Sequence, residues 1–318
     1  MSIIETNELV KNYGDLCAVD HVTLSIGKEV FGLLGPNGSG KTTTVLMLTT
    51  LLCPTSGTAS ICGYDIQKQA EMVRSMISYV PQDMAVDIKL TGRENVIFFA
   101  KLYGIPSPKD KADEALALME LNERADDLTR TYSGGMRRRL ELAQALVHEP
   151  SALFLDEPTL GLDVAARKKI WEHIGSLSRR GMSIFVTTHY MDEADRFCDR
   201  VGIINNGKIA ACGTPLELKA KLMNDVITVK IEGTCQPPDL EGVWYVGKHE
   251  DEISFTAENG KEALPTIAEA LTRNNVKIRA MSLREPTLDD VFLQAVGQQE
   301  EPYGFADSKF RIMLRRRK

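Results

Sequence analysis

A glycine-rich segment near the start of this chain constrains its fold more than any other part of the sequence. The segment consists of Gly35, Pro36, Asn37, Gly38, Ser39, Gly40, Lys41 and Thr42, with Thr43 directly after it. It fits the pattern G-x-x-x-x-G-K-[ST] at every position. The apolar residues 30–34 predict a buried strand before the segment, and residues 41–52 predict a helix after it. This order of elements predicts an α/β fold with a phosphate-binding loop.

The residue types of this loop fit a nucleoside triphosphate. The loop leads into a helix N-terminus, where unpaired backbone N–H groups and the positive end of the helix dipole attract phosphate. The glycines let the backbone approach phosphate without Cβ clashes, the Lys41 ammonium reaches the β- and γ-phosphates, and the Thr42 hydroxyl ligates Mg²⁺. The dinucleotide pattern G-x-G-x-x-G is absent from this loop. We therefore predict a nucleoside triphosphate with Mg²⁺.

Two acidic residues follow a second apolar strand. Residues 152–155 read Ala-Leu-Phe-Leu, and Asp156, Glu157 and Pro158 come directly after them. In a phosphate-loop enzyme, an Asp at the tip of a buried strand can hold Mg²⁺ through water, and a following Glu can polarise the attacking water. Without the loop, these residues would indicate only a turn. Together with the loop, they predict a hydrolytic site.

A second anion-binding segment is predicted at Ser133-Gly134-Gly135. Ser133 is a suitable N-cap for the helical pattern that follows, and the two glycines expose backbone N–H groups. An ordinary helix cap is the alternative interpretation. Three arginines follow at residues 137–139, and we expect them to form a solvated helix face rather than to bind phosphate.

Length and composition narrow the class of protein. With 318 residues and 43% hydrophobic content, the chain can bury one large core and one small core. No run approaches the roughly eighteen apolar residues of a transmembrane helix, and the N-terminus lacks the layout of a signal peptide. We therefore expect any membrane role to depend on a partner. The six cysteines form no C-x-x-C pair, which favours reduced thiols in a cytosolic protein.

Basic residues are concentrated at the C-terminal end of the sequence. The net charge is −6, yet residues 309–318 contain six basic residues and no acid, so the rest of the chain is more acidic than the total. An acidic body argues against a general nucleic-acid binder. The basic tail is either a solvated extension or a segment that favours anionic lipid.

Together these segments resemble the nucleotide-binding subunit of ATP-binding-cassette (ABC) transporters, in the family's motif order over about residues 1–220. The resemblance implies that Tyr13 stacks on adenine and that residues 35–43 form the Walker A loop. It also implies that Gln82 belongs to the Q-loop and contacts ATP and the metal. Alternatives remain for two of these residues, because Tyr13 also fits a core aromatic and Gln82 also fits a surface amide.

The resemblance extends to the remaining cassette motifs. It implies that Ser133, Gly134 and Gly135 form the signature motif that contacts ATP. It further implies that Asp156 ends the Walker B strand as a metal ligand and that Glu157 is the catalytic glutamate.

Two more residues complete the resemblance. Residues 160–163 look like the D-loop, which places Asp163 among the ATP-binding residues, and His189 looks like the switch histidine that stabilises the γ-phosphate. His189 is preferred over the four other histidines, because the apolar residues 184–186 predict a buried strand that carries it to the sheet edge of Asp156.

The signature segment departs from the family's pattern at two positions. Tyr132 stands where the family usually has Leu, and Met136 stands where it usually has Gln. A Met side chain cannot donate a hydrogen bond, so the polar contact from that position is lost. Because Ser133 and backbone amides remain, we expect an effect on specificity or rate rather than loss of activity.

The sequence predicts three regions. Residues 1–222 form the nucleotide-binding domain, with a helical subdomain at about 88–150 that includes a capping box at Thr91 and Glu94. Residues 226–297 show alternating strands and two helical segments, which predict a small α+β domain. Within it, residues 284–292 are similar to the accessory domain of drug-exporting cassettes of the daunorubicin-resistance type. Residues 298–318 form the basic tail.

The resemblance as a whole implies an ATPase subunit on the cytoplasmic face of the cell membrane. In this interpretation, Lys41, Thr42 and the loop amides hold MgATP, Glu157 polarises water and His189 stabilises phosphate charge. Two subunits dimerise, as a homodimer or with a degenerate partner, and drive a separately encoded permease that exports a drug-like or hydrophobic compound. The alternatives are a soluble ABC protein of DNA repair or translation and a metabolic P-loop kinase, and the kinase leaves the Ser133 segment without a role.

Overall fold

Residues 2–220, 222, 225–232, 238, 240–249, 251–274 and 276–297 are described by the computed structural model of the chain. Internal contacts divide the chain into two units, Met1–Thr214 and Pro215–Lys318. The predicted basic tail at 298–318 and Cys235 lie outside the described residues. Among the helices in the described ranges, none is both long and apolar enough to cross a membrane.

The first unit is built on two sheets. Its strands are β1 (Ile4–Tyr13), β2 (Leu16–Ile26), β3 (Val30–Leu34), β4 (Ser56–Ile61), β5 (Tyr64–Asp65), β6 (Ile77–Val80), β7 (Ala152–Asp156), β8 (Ser183–Thr188), β9 (Arg200–Asn205) and β10 (Lys208–Gly213). One sheet is antiparallel with the order β2-β1-β4-β5, and the other has the order β10-β9-β3-β8-β7-β6. In the second sheet every neighbouring pair is parallel except β9 and β10.

The central strands of the parallel sheet place the predicted site residues. β3, β7 and β8 are buried along their whole lengths, as expected for apolar strands covered on both faces. The pairing of β7 with β8 sets Asp156 beside Thr187. The segments that follow these strands therefore meet at one edge, which confirms the expected proximity of Asp156 and His189.

Seven α-helices of the first unit lie in the described residues. They are α1 (Lys41–Leu48), α2 (Ala70–Met76), α3 (Gly92–Leu102), α4 (Pro108–Leu118), α5 (Gly134–Leu146), α6 (Val164–Arg179) and α7 (Met191–Phe197). The predicted capping box of α3 is confirmed, because the Thr91 hydroxyl accepts from the Glu94 N–H at 3.1 Å and the Glu94 carboxylate accepts from the Thr91 N–H at 2.8 Å. Helices α3, α4 and α5 lie within the range predicted to be helical.

The prediction for α1 is wrong at its end. The helix stops at Leu48 rather than Leu52, because Thr50 adopts a left-handed φ of 63°. The N–H groups of Leu51 and Leu52 then both donate to the Leu46 carbonyl, at 2.9 and 3.0 Å. This turn satisfies a carbonyl at the helix end and redirects the chain.

The second unit contains α8 (Pro215–Ala220), β11 (Asp225–Glu232), β12 (Val243–His249), β13 (Glu252–Ala257), α9 (Gly260–Arg273), β14 (Lys277–Arg284) and α10 (Leu288–Gly297). Its strands form an antiparallel sheet in the order β12-β13-β11-β14, and α9 packs on β11, β13 and β14. The predicted combination of strands with two helices over residues 226–297 is confirmed. The division of the chain falls before α8 rather than after it, because α8 packs on α10 of the same unit.

The segment at 284–292 is held by a bidentate ion pair. Arg284 Nη1 and Nη2 donate to the two carboxylate oxygens of Asp290 at 2.6 and 3.1 Å, and the N–H and hydroxyl of Thr287 both donate to Asp290 Oδ2 at 2.9 Å. Burial acts to raise the pKa of Asp290, but the hydrogen bonds from Arg284 and Thr287 outweigh it and lower the pKa below its usual value. These bonds fix the chain where α10 begins.

Candidate nucleotide site

The glycine-rich loop joins β3 to α1, and its glycines are needed for two different reasons. Gly38 and Gly40 have left-handed φ values of 80° and 106°. A Cβ atom on Gly35 would lie 2.4 Å from the Ile204 carbonyl oxygen, and one on Gly40 would lie 2.4 Å from the Ala18 carbonyl oxygen. Side chains therefore do not fit at Gly35 and Gly40. The backbone forms a cradle in front of the N-terminus of α1.

Lys41 is buried beside this cradle. Its side chain is 6% exposed, and its ammonium donates to the carbonyls of Gly35 and Pro36 at 2.8 and 3.1 Å and lies 3.7 Å from Glu157 Oε1. Burial lowers the pKa of Lys41 below its usual value, although the charges of Glu157 and Asp156 oppose this effect. The position matches the role of a cation that meets phosphate at the loop.

Two hydroxyl groups of the loop are of the kind that a phosphate ligand and its metal ion would use. Ser39 Oγ is buried and has no hydrogen-bond partner among the described residues, so a phosphate oxygen would satisfy it. Thr42 lies exposed in the first turn of α1. Its hydroxyl is of the kind that ligates Mg²⁺ in phosphate loops.

Glu157 lies at the carboxyl end of β7 in a constrained conformation. Its φ is 49°, in the left-handed region, and its N–H donates to the Thr187 carbonyl and hydroxyl at 3.1 and 3.0 Å. Its carboxylate lies between Lys41 and His189, with Oε2 at 2.5 Å from His189 Nδ1. Three of the predicted site residues thus meet directly.

Asp156 lies beside this group and is 1% exposed. The Thr187 hydroxyl donates a short hydrogen bond to Asp156 Oδ1. Thr187 therefore supports both acidic residues, a role that the sequence analysis missed. The available signal was its position on the buried strand that carries His189.

A second group of predicted site residues lies where α5 and α6 begin. Ser133 caps α5 by accepting from the Met136 N–H at 3.2 Å, and Asp163 caps α6 by accepting from the Ala166 N–H at 2.9 Å. The cap predicted for Ser133 is therefore confirmed. A Cβ atom on Gly135 would lie 2.8 Å from the Ala166 Cβ, so the glycine lets these two helix starts approach closely.

The unusual Tyr132 has a structural explanation. Its ring is 3% exposed, and its hydroxyl donates to the Arg124 carbonyl at 2.5 Å. Tyr132 thus replaces an aliphatic core residue with an aromatic one whose polar atom is satisfied. Met136 is half-buried in the first turn of α5, and Gly134 is exposed next to the cap.

Tyr13 and Gln82 both lie at the surface. Tyr13 ends β1 with its side chain 48% exposed, and the Lys11 ammonium lies 5.4 Å from its ring centroid. The alternative interpretation of Tyr13 as a core aromatic is therefore wrong. Gln82 is exposed in the loop after β6, the strand that pairs with β7.

The expectation of a solvated arginine face on α5 is wrong. Arg137 donates to the carbonyls of Thr129 and Arg130, and Arg139 donates to the carbonyls of Met119 and Glu120. Arg138, between them, is 3% exposed. The physical reason is that α5 is surrounded by chain segments whose free carbonyls need donors.

Comparisons with known proteins agree with this geometry. A family model described as ABC transporter matches residues 19–160, and a model of the C-terminal domain of DrrA1-3-like ATP-binding proteins matches residues 213–296. The daunorubicin/doxorubicin resistance ATP-binding protein DrrA of Streptomyces peucetius is 38% identical over 305 residues, covering 92% of each chain. The chain belongs to the ABC transporter ATP-binding proteins.

Other members of the family extend the likeness. The linearmycin resistance ATP-binding protein LnrL of Bacillus subtilis is 35% identical to this ABC ATPase, covering 93% of this chain and 99% of LnrL. The solved structure of cbiO1 from Clostridium perfringens, part of an ABC transporter complex, has a TM-score of 0.65 and 29% identity, covering 70% of this chain and 92% of cbiO1. The predicted P-loop NTPase fold and nucleotide binding by this ABC ATPase are thus confirmed.

Proposed function

We propose that this ABC ATPase energises a separate membrane permease that exports a drug-like or hydrophobic compound. The observation that carries this proposal is the likeness to drug-resistance ATP-binding proteins over both units of the chain, including the accessory domain at 213–296. The relatives are named for resistance or export, which favours transport over the DNA-repair alternative.

Within this function, each residue around Glu157 has a distinct role. Lys41 and the loop amides bind the β- and γ-phosphates, and the Glu157 carboxylate accepts a proton from the attacking water. His189 contacts Glu157 Oε2 through Nδ1 at 2.5 Å, and its other ring nitrogen is the group that would meet the negative charge developing on the γ-phosphate. Tyr13 stacks on adenine with an exposed face. The proposal is supported by the shared position of Lys41, Glu157 and His189 at one sheet edge.

Mg²⁺ is part of the proposed substrate complex. Thr42, Gln82 and Asp156 are the residues that would hold it, because hydroxyl, amide and carboxylate oxygens are the ligands that Mg²⁺ prefers. When bound, the ion neutralises phosphate charge. Thr187 keeps one Asp156 oxygen in place through its short hydrogen bond.

We propose that the second group of site residues serves a partner subunit's nucleotide. Ser133, Gly134 and Asp163 are exposed, and Leu160 and Val164 next to Asp163 are 38% and 85% exposed. Exposed apolar side chains beside an anion-binding helix start are expected at an interface. A homodimer would then contain two complete sites, each built from one subunit's Lys41 and Glu157 and the other subunit's Ser133.

The proposed permease contact lies on the helical part of the first unit. Large apolar and aromatic side chains are exposed along the loop after β6, along α3 and directly after α3, namely Met84, Ile88, Phe98, Leu102 and Tyr103. Such side chains fit a partner helix with an apolar face. This contact would hold the ATPase on the cytoplasmic face of the cell membrane.

The proposal is tested by isolating the protein with its membrane partner and by measuring transport. The tagged chain is isolated from membranes of cells that also express the membrane protein encoded by the neighbouring gene. Inverted vesicles from these cells are assayed for ATP-dependent uptake of doxorubicin. We expect a polytopic partner and uptake that is lost in Glu157→Gln. Recovery with nucleic acid and without a membrane partner would contradict the proposal.

A further inference from the structure

One arginine bonds both to the segment that carries Glu157 and to the loop that carries Gln82. Arg138 lies on α5, and its side chain is 3% exposed. Its Nε donates to the Pro158 carbonyl at 3.0 Å, and its Nη2 donates to the Asp156 carbonyl at 3.1 Å. These two carbonyls bracket the dipeptide Glu157-Pro158. The guanidinium therefore holds the backbone on either side of Glu157.

The remaining Arg138 nitrogen reaches the Gln82 loop. Nη1 donates to the Pro81 carbonyl at 2.8 Å and to Glu141 Oε2 at 2.9 Å. Glu141, itself 4% exposed, accepts from the Ala85 N–H at 2.6 Å through its other oxygen. The buried pair Arg138–Glu141 thus binds the backbone on both sides of Gln82, at Pro81 and at Ala85.

The conformation of Glu157 explains why the backbone around it needs these hydrogen bonds. A φ of 49° is unfavourable for a residue with a Cβ atom, and it persists only where the surroundings impose it. Thr187 holds the Glu157 N–H from β8, and Arg138 holds the flanking carbonyls from α5. Together these contacts hold the backbone before and after Glu157.

We propose that Arg138, with Glu141, is a positioning residue for ATP hydrolysis, which aims Glu157 and ties it to the Gln82 loop and to the helix that Ser133 caps. The inference rests on the proposed role of Glu157 as the group that accepts a proton from water. Arg138 is placed to act through backbone carbonyls rather than through the nucleotide. Its effect should therefore appear in kcat and not in nucleotide affinity.

The neighbouring Arg139 provides a matched control for the substitution of Arg138. Arg139 on the same helix also donates to two backbone carbonyls, those of Met119 and Glu120, but these lie at the end of α4 and in the turn after it. Arg139→Lys therefore repeats the chemical change of Arg138→Lys without touching Pro81, Asp156 or Pro158. Lys keeps the charge beside Glu141 in Arg138→Lys but lacks the planar fork that spans three carbonyls.

The experiment measures kcat and KM for ATP, binding of a fluorescent ATP analogue, and the melting temperature, all on the full chain. We expect Arg138→Lys to lower kcat by about tenfold or more, since a small misplacement of a catalytic group has an effect of this order, and to leave ATP affinity within about twofold. We expect Arg139→Lys to leave both quantities near wild type. Arg138→Met combined with Glu141→Leu removes the pair without leaving an unpaired buried charge, and should show the same loss in kcat.

A double-mutant cycle with Glu157→Gln separates positioning from general damage. If Arg138 acts through Glu157, Arg138→Lys should cause no further loss of the residual hydrolysis that remains in Glu157→Gln. Equal losses in both backgrounds, normal kcat in Arg138→Lys, or parallel loss of ATP affinity would overturn the inference. So would failure of both Arg138 variants to fold. Near-normal hydrolysis by Glu157→Gln alone would instead overturn the proposed role of Glu157.

Discussion

His189 Nδ1 lies 2.5 Å from Oε2 of Glu157, so the histidine and the acid at the ends of neighbouring strands form one hydrogen-bonded unit. The other carboxylate oxygen of Glu157 faces the Lys41 ammonium at 3.7 Å. Glu157 is therefore held from two sides by groups that would contact the γ-phosphate. The Glu157 side chain is only 6% exposed, so little of it is in contact with bulk water.

The first prediction concerns the charge of Glu157. Glu157→Gln keeps the shape of the side chain and removes the proton acceptor, so we expect turnover to fall about a hundredfold or more, the range of general-base catalysis. ATP binding should be retained. Turnover is measured by phosphate release and binding by fluorescence titration. Near-normal phosphate release would remove Glu157 from the mechanism.

The second prediction concerns Lys41. Lys41→Ala removes a buried cation from the phosphate loop, and we expect ATP affinity to fall roughly tenfold to a hundredfold, as for a lost hydrogen bond to a charged group. The control is Lys101→Ala, an exposed position on α3, which should bind ATP as wild type does. The two variants are compared in the same fluorescence titration. Equal affinities would show that the loop binds phosphate without Lys41.

The third prediction concerns the dimer. In Glu157→Gln with ATP, light scattering should show a dimer, because the nucleotide is bound and not consumed. Adding Ser133→Arg should prevent this dimer through bulk and charge at an exposed position, whereas adding Met136→Gln should not. In the wild-type background, Met136→Gln should change hydrolysis by only about a fewfold, since Ser133 and backbone amides make the phosphate contact.

A control is needed for the capping role of Ser133. Ser133→Ala removes the hydrogen bond to the Met136 N–H without adding bulk, at a cost of about 1 kcal/mol of stability. We expect this variant still to dimerise. A dimer in Ser133→Arg, or its loss in both variants, would contradict the assignment of this surface.

Three of the motifs could be predicted because each follows one buried strand. The apolar runs before Gly35, Asp156 and His189 indicate a parallel sheet, and a parallel sheet brings the ends of its strands to one edge. Local patterns also predicted the caps at Thr91 and Ser133, since a cap depends only on residues within one turn.

The remaining features depend on contacts between distant segments. Three consecutive arginines on a helix resemble a solvated face, and the burial of Arg138 follows only from carbonyls at Pro81, Asp156 and Pro158. The end of α1 was missed because Leu51 and Leu52 continue the apolar pattern, while the left-handed Thr50 has no signal in the sequence.

The fourth prediction is that the two units unfold independently. Asp290→Ala removes the partner of Arg284 and the acceptor for Thr287, and should destabilise the second unit by about 1–2 kcal/mol, a value discounted because the pair is partly exposed. The chain has two tryptophans, Trp171 in the first unit and Trp244 in the second.

Each tryptophan can report on its own unit. With Trp171→Phe the fluorescence follows Trp244, and with Trp244→Phe it follows Trp171. Asp290→Ala should shift only the Trp244 transition and leave ATP binding unchanged. The control Glu269→Ala, which removes an exposed ion pair with Arg273 on α9, should shift neither. Equal shifts of both transitions would show a single cooperative unit.

The last prediction concerns the pH dependence of stability. His148 Nε2 donates to the Ile77 carbonyl at 3.0 Å, its ring stacks on Tyr103 at a centroid distance of 3.8 Å, and Nδ1 is buried without a hydrogen-bond partner among the described residues. Burial lowers the pKa of His148 below its usual value, and it lowers the pKa of His173 in the same way.

The direction in which stability changes with pH follows from proton binding. As the pH falls below about 6.5, the unfolded chain protonates these histidines while the folded chain does not, so the unfolded state binds more protons and stability decreases. Each unit by which the folded pKa is lowered contributes about 1.4 kcal/mol to this loss. We expect the free energy of unfolding to decline from pH 7 to pH 5, a range that lies above the usual pKa of the carboxylates.

Denaturant unfolding at several pH values tests this prediction. His148→Phe should lower the stability at pH 7, because the bond to Ile77 is lost, but should make the decline toward pH 5 shallower. Combining it with His173→Phe should flatten the decline further. Tyr103→Phe keeps the ring stacked on His148 and should keep the wild-type slope. An unchanged slope in the double variant would mean that other groups cause the pH dependence.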